Sequence, residues 1–153
     1  AEAARVSLVQ RGEVGDSRRS WTWAWRTALW ARLGQPERAH GCVAGLLAYN
    51  TKSNLWTSHP PFQIDGNLGV TAGMAEMFLQ SHAGKLEFLP ALPATWITGH
   101  VKGLRARGGH IVELKWKDGR LEMASITKGK GPLPELMIEG KRVSESDPRI
   151  VIE

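Results

Sequence analysis

Residues 70–93, VTAGMAEMFLQSHAGKLEFLPALP, change their period part-way along. Val70, Met74, Met77 and Phe78 recur at helical spacing, which predicts a helix beginning near Gly66 and ending around Gln80 to Gly84. Beyond Gly84 that period is lost, and KLEFLPALP reads as a short strand closed by two prolines. The chain is therefore expected to divide into a helical portion, residues 1–84, and an antiparallel β portion, residues 85–153, an α+β arrangement.

Upstream of this stretch, Ala39, Cys42, Val43, Leu46 and Leu47 keep the helical period as far as Asn50, with Pro36 placed to open that helix. Before it, Trp21, Trp25, Ala28, Leu29 and Leu33 fall at i, i+4, i+7, i+8 and i+12, predicting a helix with this apolar face that stops at Gly34. Residues 1–10 read as the end of a further helix, followed by the loop RGEVGDSRRS. Three such helices, each with one apolar face, need partners on the other side, so a piece of a larger protein fits better than a whole one.

Downstream, HVKGLRARGGHIVELKWKDGRLEMASITKG reads as strands with glycine breaks, and ELMIEGKRV and RIVIE as further strands of a small sheet or sandwich. Asp118-Gly119 predicts a two-residue hairpin turn. Pairing Lys117 with Arg120 then sets Trp116 opposite Leu121, Leu114 opposite Met123 and Lys115 against Glu122, apolar on one face and ion-paired on the other.

The 153 residues allow one domain or two small ones, and 42% hydrophobic with 23% charged residues describes an ordinary globular chain. Its mean hydropathy of −0.27 and the lack of a long apolar run argue against a membrane span. Twenty Lys and Arg against fifteen Asp and Glu leave a charge of +5. The basic residues are dispersed among acids, as in Lys115, Lys117 and Arg120 beside Glu113, Asp118 and Glu122, so no nucleic-acid partner is expected. One cysteine, Cys42, permits no internal disulfide, and its place in a helical stripe suits a buried apolar residue. His40, His59, His82, His100 and His110 lack metal-ligand spacing with Cys42, so no metal is expected, and with no P-loop, GxGxxG or HExxH motif no cofactor is expected either. The first residue is Ala, which leaves room for a start upstream; the compartment is undecided. Seven tryptophans, three within five residues at Trp21, Trp23 and Trp25, suit core packing or a wall against the C–H face of a sugar.

The stretch that can carry chemistry is His59-Pro60-Pro61-Phe62-Gln63-Ile64-Asp65-Gly66-Asn67, within a loop too long and too polar for a plain connector. Two prolines stiffen it, and an imidazole, a carboxylate and two amides lie close together. Asp65 reads either as the N-cap of the following helix or as a catalytic carboxylate at its N-terminus.

HPPFQIDGN (59–67), with LGVTAGMAEMFLQSH (68–82), GKLEFLPALP (84–93) and VKGLRARGG (101–109), resembles the C-terminal end of glycoside hydrolase family 95, the α-L-fucosidases and related α-L-galactosidases. The resemblance runs from ARVSLVQRG near the start to the WKDG turn and weakens after about Lys128. It implies a long enzyme with an N-terminal β-domain, a central (α/α)6 barrel and a C-terminal β-domain. The present chain would supply the last barrel helices and that β-domain. The implied activity is inverting hydrolysis of terminal, α-1,2-linked fucosides of an oligosaccharide or glycan. Asp65 matches the aspartate that activates the attacking water through neighbouring asparagines. His59, Gln63 and Asn67 match residues lining or supporting the sugar subsite, and no cofactor or metal is implied. The general-acid glutamate and the asparagines would lie upstream of Ala1, in the missing N-terminal part of the same enzyme; a secreted or periplasmic parent is compatible with this.

The chain departs from the family pattern in three places. Ser20 to Arg26 replaces the usual GWSRAWK, the loop before it is longer, and Leu68 stands for a common phenylalanine. Inverting hydrolysis needs two groups roughly 6.5–9.5 Å apart on opposite sides of the sugar. With only Asp65 in a suitable setting, the isolated chain should lack an acid/base pair. The competing expectation is a non-catalytic carbohydrate-binding or structural module.

Overall fold

Among the described residues of the computed structural model, 1–12, 19–58 and 62–153, four helices precede eight strands. The helices are α1 (Glu2–Gln10), α2 (Ser20–Arg32), α3 (Pro36–Asn50) and α4 (Ile64–Phe78). The chain separates into two units, Ala1–Glu76 and Met77–Glu153.

In the first unit, α2 ends in a Schellman motif. Gly34 takes a φ of +63°, its N–H donates to Ala31, and the Gln35 N–H donates to Trp30. Pro36 opens α3 at once, where a missing N–H costs nothing. The face buried by α3, Ala39, Cys42, Val43 and Leu46, is the expected one, except that Leu47 is exposed and Gly45 is buried. Gly45 is a slot for the Trp23 ring, because a Cβ there would lie 2.8 Å from the indole. Trp23 also stacks on Tyr49, and the Arg38 guanidinium lies 4.8 Å from the Trp30 ring centroid.

The expected apolar face of α2 is not the buried one. Trp21 and Trp25 are 44% and 42% exposed, while Ser20, Thr22, Trp23, Ala24, Arg26, Thr27, Trp30 and Ala31 are buried. The reason is close approach. A Cβ on Gly66 would meet Ser20, one on Gly69 would meet Ala24 and one on Gly73 would meet Thr27. Small residues at i, i+4 and i+7 of α2 therefore receive the glycine side of α4, and a tryptophan stripe would hold the two backbones apart. Arg32 and Glu76 join the same two helices through a bidentate ion pair, with Nε to Oε2 at 2.8 Å and Nη2 to Oε1 at 2.7 Å. That hydrogen bonding raises the Arg32 pKa.

The second unit holds β1 (Leu79–His82), β2 (Lys85–Phe88), β3 (Gly99–Arg105), β4 (Ile111–Lys117), β5 (Arg120–Thr127), β6 (Glu135–Ile138), β7 (Lys141–Arg142) and β8 (Ile150–Ile152). The helix expected to reach Gln80 to Gly84 thus stops at Phe78. Leu79–His82 instead pair antiparallel with β2, through a turn at Ala83-Gly84 where both φ angles are positive. The strands form two sheets, ordered β1-β2-β6-β7 and β3-β4-β5-β8. They are mostly antiparallel, as expected from sequence, with two exceptions: β2 pairs β6 and β5 pairs β8 in parallel. One core serves both sheets: Leu79, Leu86, Phe88, Leu136 and Ile138 from the first, and Val112, Leu114, Leu121, Ala124, Ile126 and Ile150 from the second.

The hairpin turn at Asp118-Gly119 has φ of 53° and 71°, which matches the right-handed twist of its strands. Lys117 pairs Arg120 and Trp116 pairs Leu121, as expected, but the register then shifts so that Lys115 pairs Met123 and Leu114 pairs Ala124. Glu122 is the extra residue of a bulge. Without it Ser125 would face inward and Ile126 outward. With it, Ala124 and Ile126 reach the core at 0% exposure.

Candidate functional site

The connection from α3 to α4 is stitched at both ends by side chains. At the first end, Asn50 donates from Nδ2 to the Ser58 carbonyl at 2.9 Å and receives the Ser58 N–H on its own carbonyl at 2.7 Å. Its Oδ1 accepts from Trp23 Nε1 at 2.9 Å, which ties the loop to α2. Thr51 and Thr57 form a bridge, and the Lys52 N–H donates to the Trp56 carbonyl. These bonds hold an irregular segment between two helices and satisfy the backbone groups they reach.

At the second end the holding residue is Thr57, buried to 1% exposure. Its N–H donates to Asn67 Oδ1 at 3.0 Å, and its hydroxyl faces both the Gln63 carbonyl at 3.0 Å and Asn67 Oδ1 at 2.9 Å. Asn67 Nδ2 donates back to the Leu55 carbonyl at 2.9 Å. Gly66 fits between Ser20 and Thr57, with 2.6 Å from an added Cβ to Ser20 Cβ and to Thr57 Oγ1.

Asp65 lies on this platform, exposed, in the first turn of α4. The helix begins at Ile64, so Asp65 is inside it and is not its N-cap; the N-cap reading is corrected accordingly. A carboxylate in a first turn is favoured by the N-terminal end of the helix dipole. Gln63 is half-buried, its Oε1 buried without a hydrogen-bond partner, while its backbone carbonyl receives Thr57. The Asn67 amide is engaged at both ends within the protein. His59 lies outside the described residues, as do Pro60 and Pro61. The structure thus brings Gln63, Asp65 and Asn67 onto one helix start. Sequence reading missed Thr57 and Asn50, because nothing in a lone threonine or asparagine of a polar loop signals which backbone group it will reach.

In the same connection, Trp56 and Phe62 stack with ring centroids 4.6 Å apart and an interplanar angle of 27°. They are 55% and 40% exposed. An exposed carboxylate can order a water or accept from a hydroxyl, and exposed aromatic rings can meet an apolar sugar face. Glu76, a second acid of α4, is bound to Arg32. Among the described residues no group of three or more His, Cys, Asp or Glu could hold a metal ion. His110 is enclosed in the second unit, its Nδ1 accepting from Gly129 N–H and its Nε2 facing the Pro132 carbonyl. No helix of the described residues is long and apolar enough to cross a membrane.

Comparison with known proteins gives two adjoining family matches. Residues 1–78 match the glycosyl hydrolase family 95 catalytic domain, and residues 80–150 match the glycoside hydrolase family 95 C-terminal domain, so the likeness extends well past Lys128. Alpha-L-fucosidase 2 of Arabidopsis thaliana is 44% identical over 133 residues, covering 79% of this chain and 15% of the relative. Probable alpha-fucosidase A of Aspergillus niger is 35% identical over 132 residues, covering 76% and 17%. Probable alpha-fucosidase A of Aspergillus oryzae is 31% identical over 159 residues, covering 90% and 22%. The chain therefore spans between 15% and 22% of the length of these relatives.

Proposed function

Because the chain belongs to glycoside hydrolase family 95, we propose that it is the C-terminal part of an inverting α-L-fucosidase acting on α-1,2-linked terminal fucose of an oligosaccharide or glycan. In this reading α1 to α4 complete an (α/α)6 barrel whose other helices come from upstream. Asp65 is the catalytic carboxylate that activates the attacking water, with upstream asparagines between them and an upstream glutamate as proton donor. His59, Gln63 and Asn67 line or support the sugar subsite.

The observation that carries the proposal is the placement of Asp65: an exposed carboxylate at a helix start whose neighbours on both sides are hydrogen-bonded to one buried threonine. Support also comes from the names of the relatives, all fucosidases. The other acid of α4, Glu76, is held by Arg32, so in this reading the proton donor of the two-group reaction comes from upstream.

The test is Asp65→Asn in the full-length enzyme, assayed on a 2′-linked α-L-fucoside. Loss of a general base costs about 10²–10⁴-fold in turnover. The fold should survive, since the side chain is exposed. Near-normal turnover would remove the catalytic role. It would favour the second reading, a carbohydrate-binding module built on the exposed Trp56 and Phe62 stack.

A further inference from the structure

The geometry points to Thr57 as a positioning residue for Asp65, acting through its hydroxyl on both sides of the carboxylate. This rests on the reading of Asp65 as the water-activating group. Gln63 and Asn67 stand two residues before and two residues after Asp65, and both are bound to Thr57 Oγ1, at 3.0 and 2.9 Å. The Thr57 N–H makes a further bond to Asn67 Oδ1. One buried side chain thereby fixes the backbone from which Asp65 projects, while the carboxylate itself is left exposed.

Three features make this a device for aim. Thr57 is 1% exposed, so water cannot replace its hydroxyl when that is removed. Gly66, next to Asp65, admits no Cβ against Ser20 or Thr57, so the helix start is pressed onto the same residue from a second direction. The methyl of threonine has no part in the hydrogen bonds, which separates the hydroxyl's role from packing. A single hydroxyl proton serves two acceptors. Removing it frees the Gln63 carbonyl, whereas Asn67 Oδ1 keeps the Thr57 N–H, so the helix start is loosened without being released.

The experiment compares Thr57→Val, Thr57→Ser, Asp65→Asn and the Thr57→Val/Asp65→Asn double variant in the full-length enzyme, on the 2′-linked fucoside. Misplacement of a reacting group by about 1 Å costs about 10²-fold, so Thr57→Val should lower kcat by about 30- to 100-fold with KM within about threefold. Thr57→Ser, which keeps the hydroxyl, should stay within about threefold of wild type in both. Since Thr57 acts through Asp65, the double variant should be no more than about twofold slower than Asp65→Asn alone.

Thr57→Val with wild-type kcat overturns the proposal, as does a Thr57→Ser as slow as Thr57→Val, and so does a double variant in which the two losses multiply. If Thr57→Val fails to fold, Thr57→Ala, which removes the hydroxyl without placing a second methyl beside Asn67, is read by the same criteria. Asp65→Asn with normal kcat overturns the role of Asp65 and this proposal with it. A crippled Asp65→Asn beside an unimpaired Thr57→Val overturns the positioning role alone.

Discussion

Gly41 and Gly66 both lie inside helices, and replacing each by alanine should shift stability in opposite directions. A glycine in a helix interior costs about 0.8–1.0 kcal/mol relative to alanine, partly through the freedom it gives the unfolded chain. At Gly41, exposed on α3, an added Cβ meets nothing within 4 Å, so Gly41→Ala should stabilise by about 0.5–1 kcal/mol. At Gly66 the same methyl would lie 2.6 Å from Ser20 Cβ and from Thr57 Oγ1. Neither can swing aside: Ser20 Cβ is attached directly to the α2 backbone, and Thr57 Oγ1 is bound to Gln63 and Asn67. Overpacking of this kind costs about 1–3 kcal/mol. A displaced α4 would also lose a Thr57 hydrogen bond of about 1 kcal/mol. Set against the helix gain, Gly66→Ala should destabilise by about 1–3 kcal/mol. Urea unfolding followed by tryptophan fluorescence reads both variants side by side at a common m-value. A Gly66→Ala as stable as Gly41→Ala would refute the close packing of α2, α4 and the loop.

The remaining predictions concern the β unit. Hydrogen bonds from the Arg149 guanidinium, then from its N–H, hold the Asp147 carboxyl down to about 2 from an ordinary 3.8. Its contribution to stability is therefore present above pH 3.8 and lost as pH falls through about 2. In Arg149→Gln the carboxyl resonance of Asp147 should titrate near 4, and an unchanged midpoint would count against the pair. Deleting Glu122 removes only the bulge and leaves Ala124 opposite Leu114 and Ile126 opposite Val112, so it should cost under about 1.5 kcal/mol. Deleting the equally exposed Lys115 makes Leu114 and Trp116 neighbours on opposite faces and should cost more than about 3 kcal/mol; equal urea midpoints for the two deletions would contradict the register.

Where apolar periodicity alone decided the outcome, the sequence was readable. Ala39, Cys42, Val43 and Leu46 are buried on α3 as their spacing required, and Asp118-Gly119 makes its turn. Reading failed where small residues decided. Trp21 and Trp25 outweigh Ser20, Ala24 and Thr27 on any hydrophobic scale, yet the small residues receive α4, because backbone approach rather than side-chain area sets that face. Hairpin pairing was right for two rungs and then failed, since a bulge depends on which of Ser125 and Ile126 ends inside, a tertiary question. The helix expected to reach Gln80 to Gly84 gives way at Leu79 to a strand, because β2 offers Leu79 to His82 a ladder. At the site, Asp65 stood out through its motif, whereas Thr57 had no local signal: its partners, Gln63 and Asn67, come six and ten residues later.

The two parallel pairings set an order of events during synthesis. Ladders β1 with β2 and β3 through β5 join strands that follow one another, so they can close as soon as they leave the ribosome. Strands β6 and β8 return to β2 and β5 only after long excursions, Leu136 to Leu86 and Ile150 to Ala124. Until those late segments emerge, one edge of each nascent sheet presents free backbone beside Phe88 and Ile126, the kind of surface on which neighbouring chains aggregate. Residues 150–152 thus close the β5 edge, and removing them would leave a β unit with most of its core in place and that edge open.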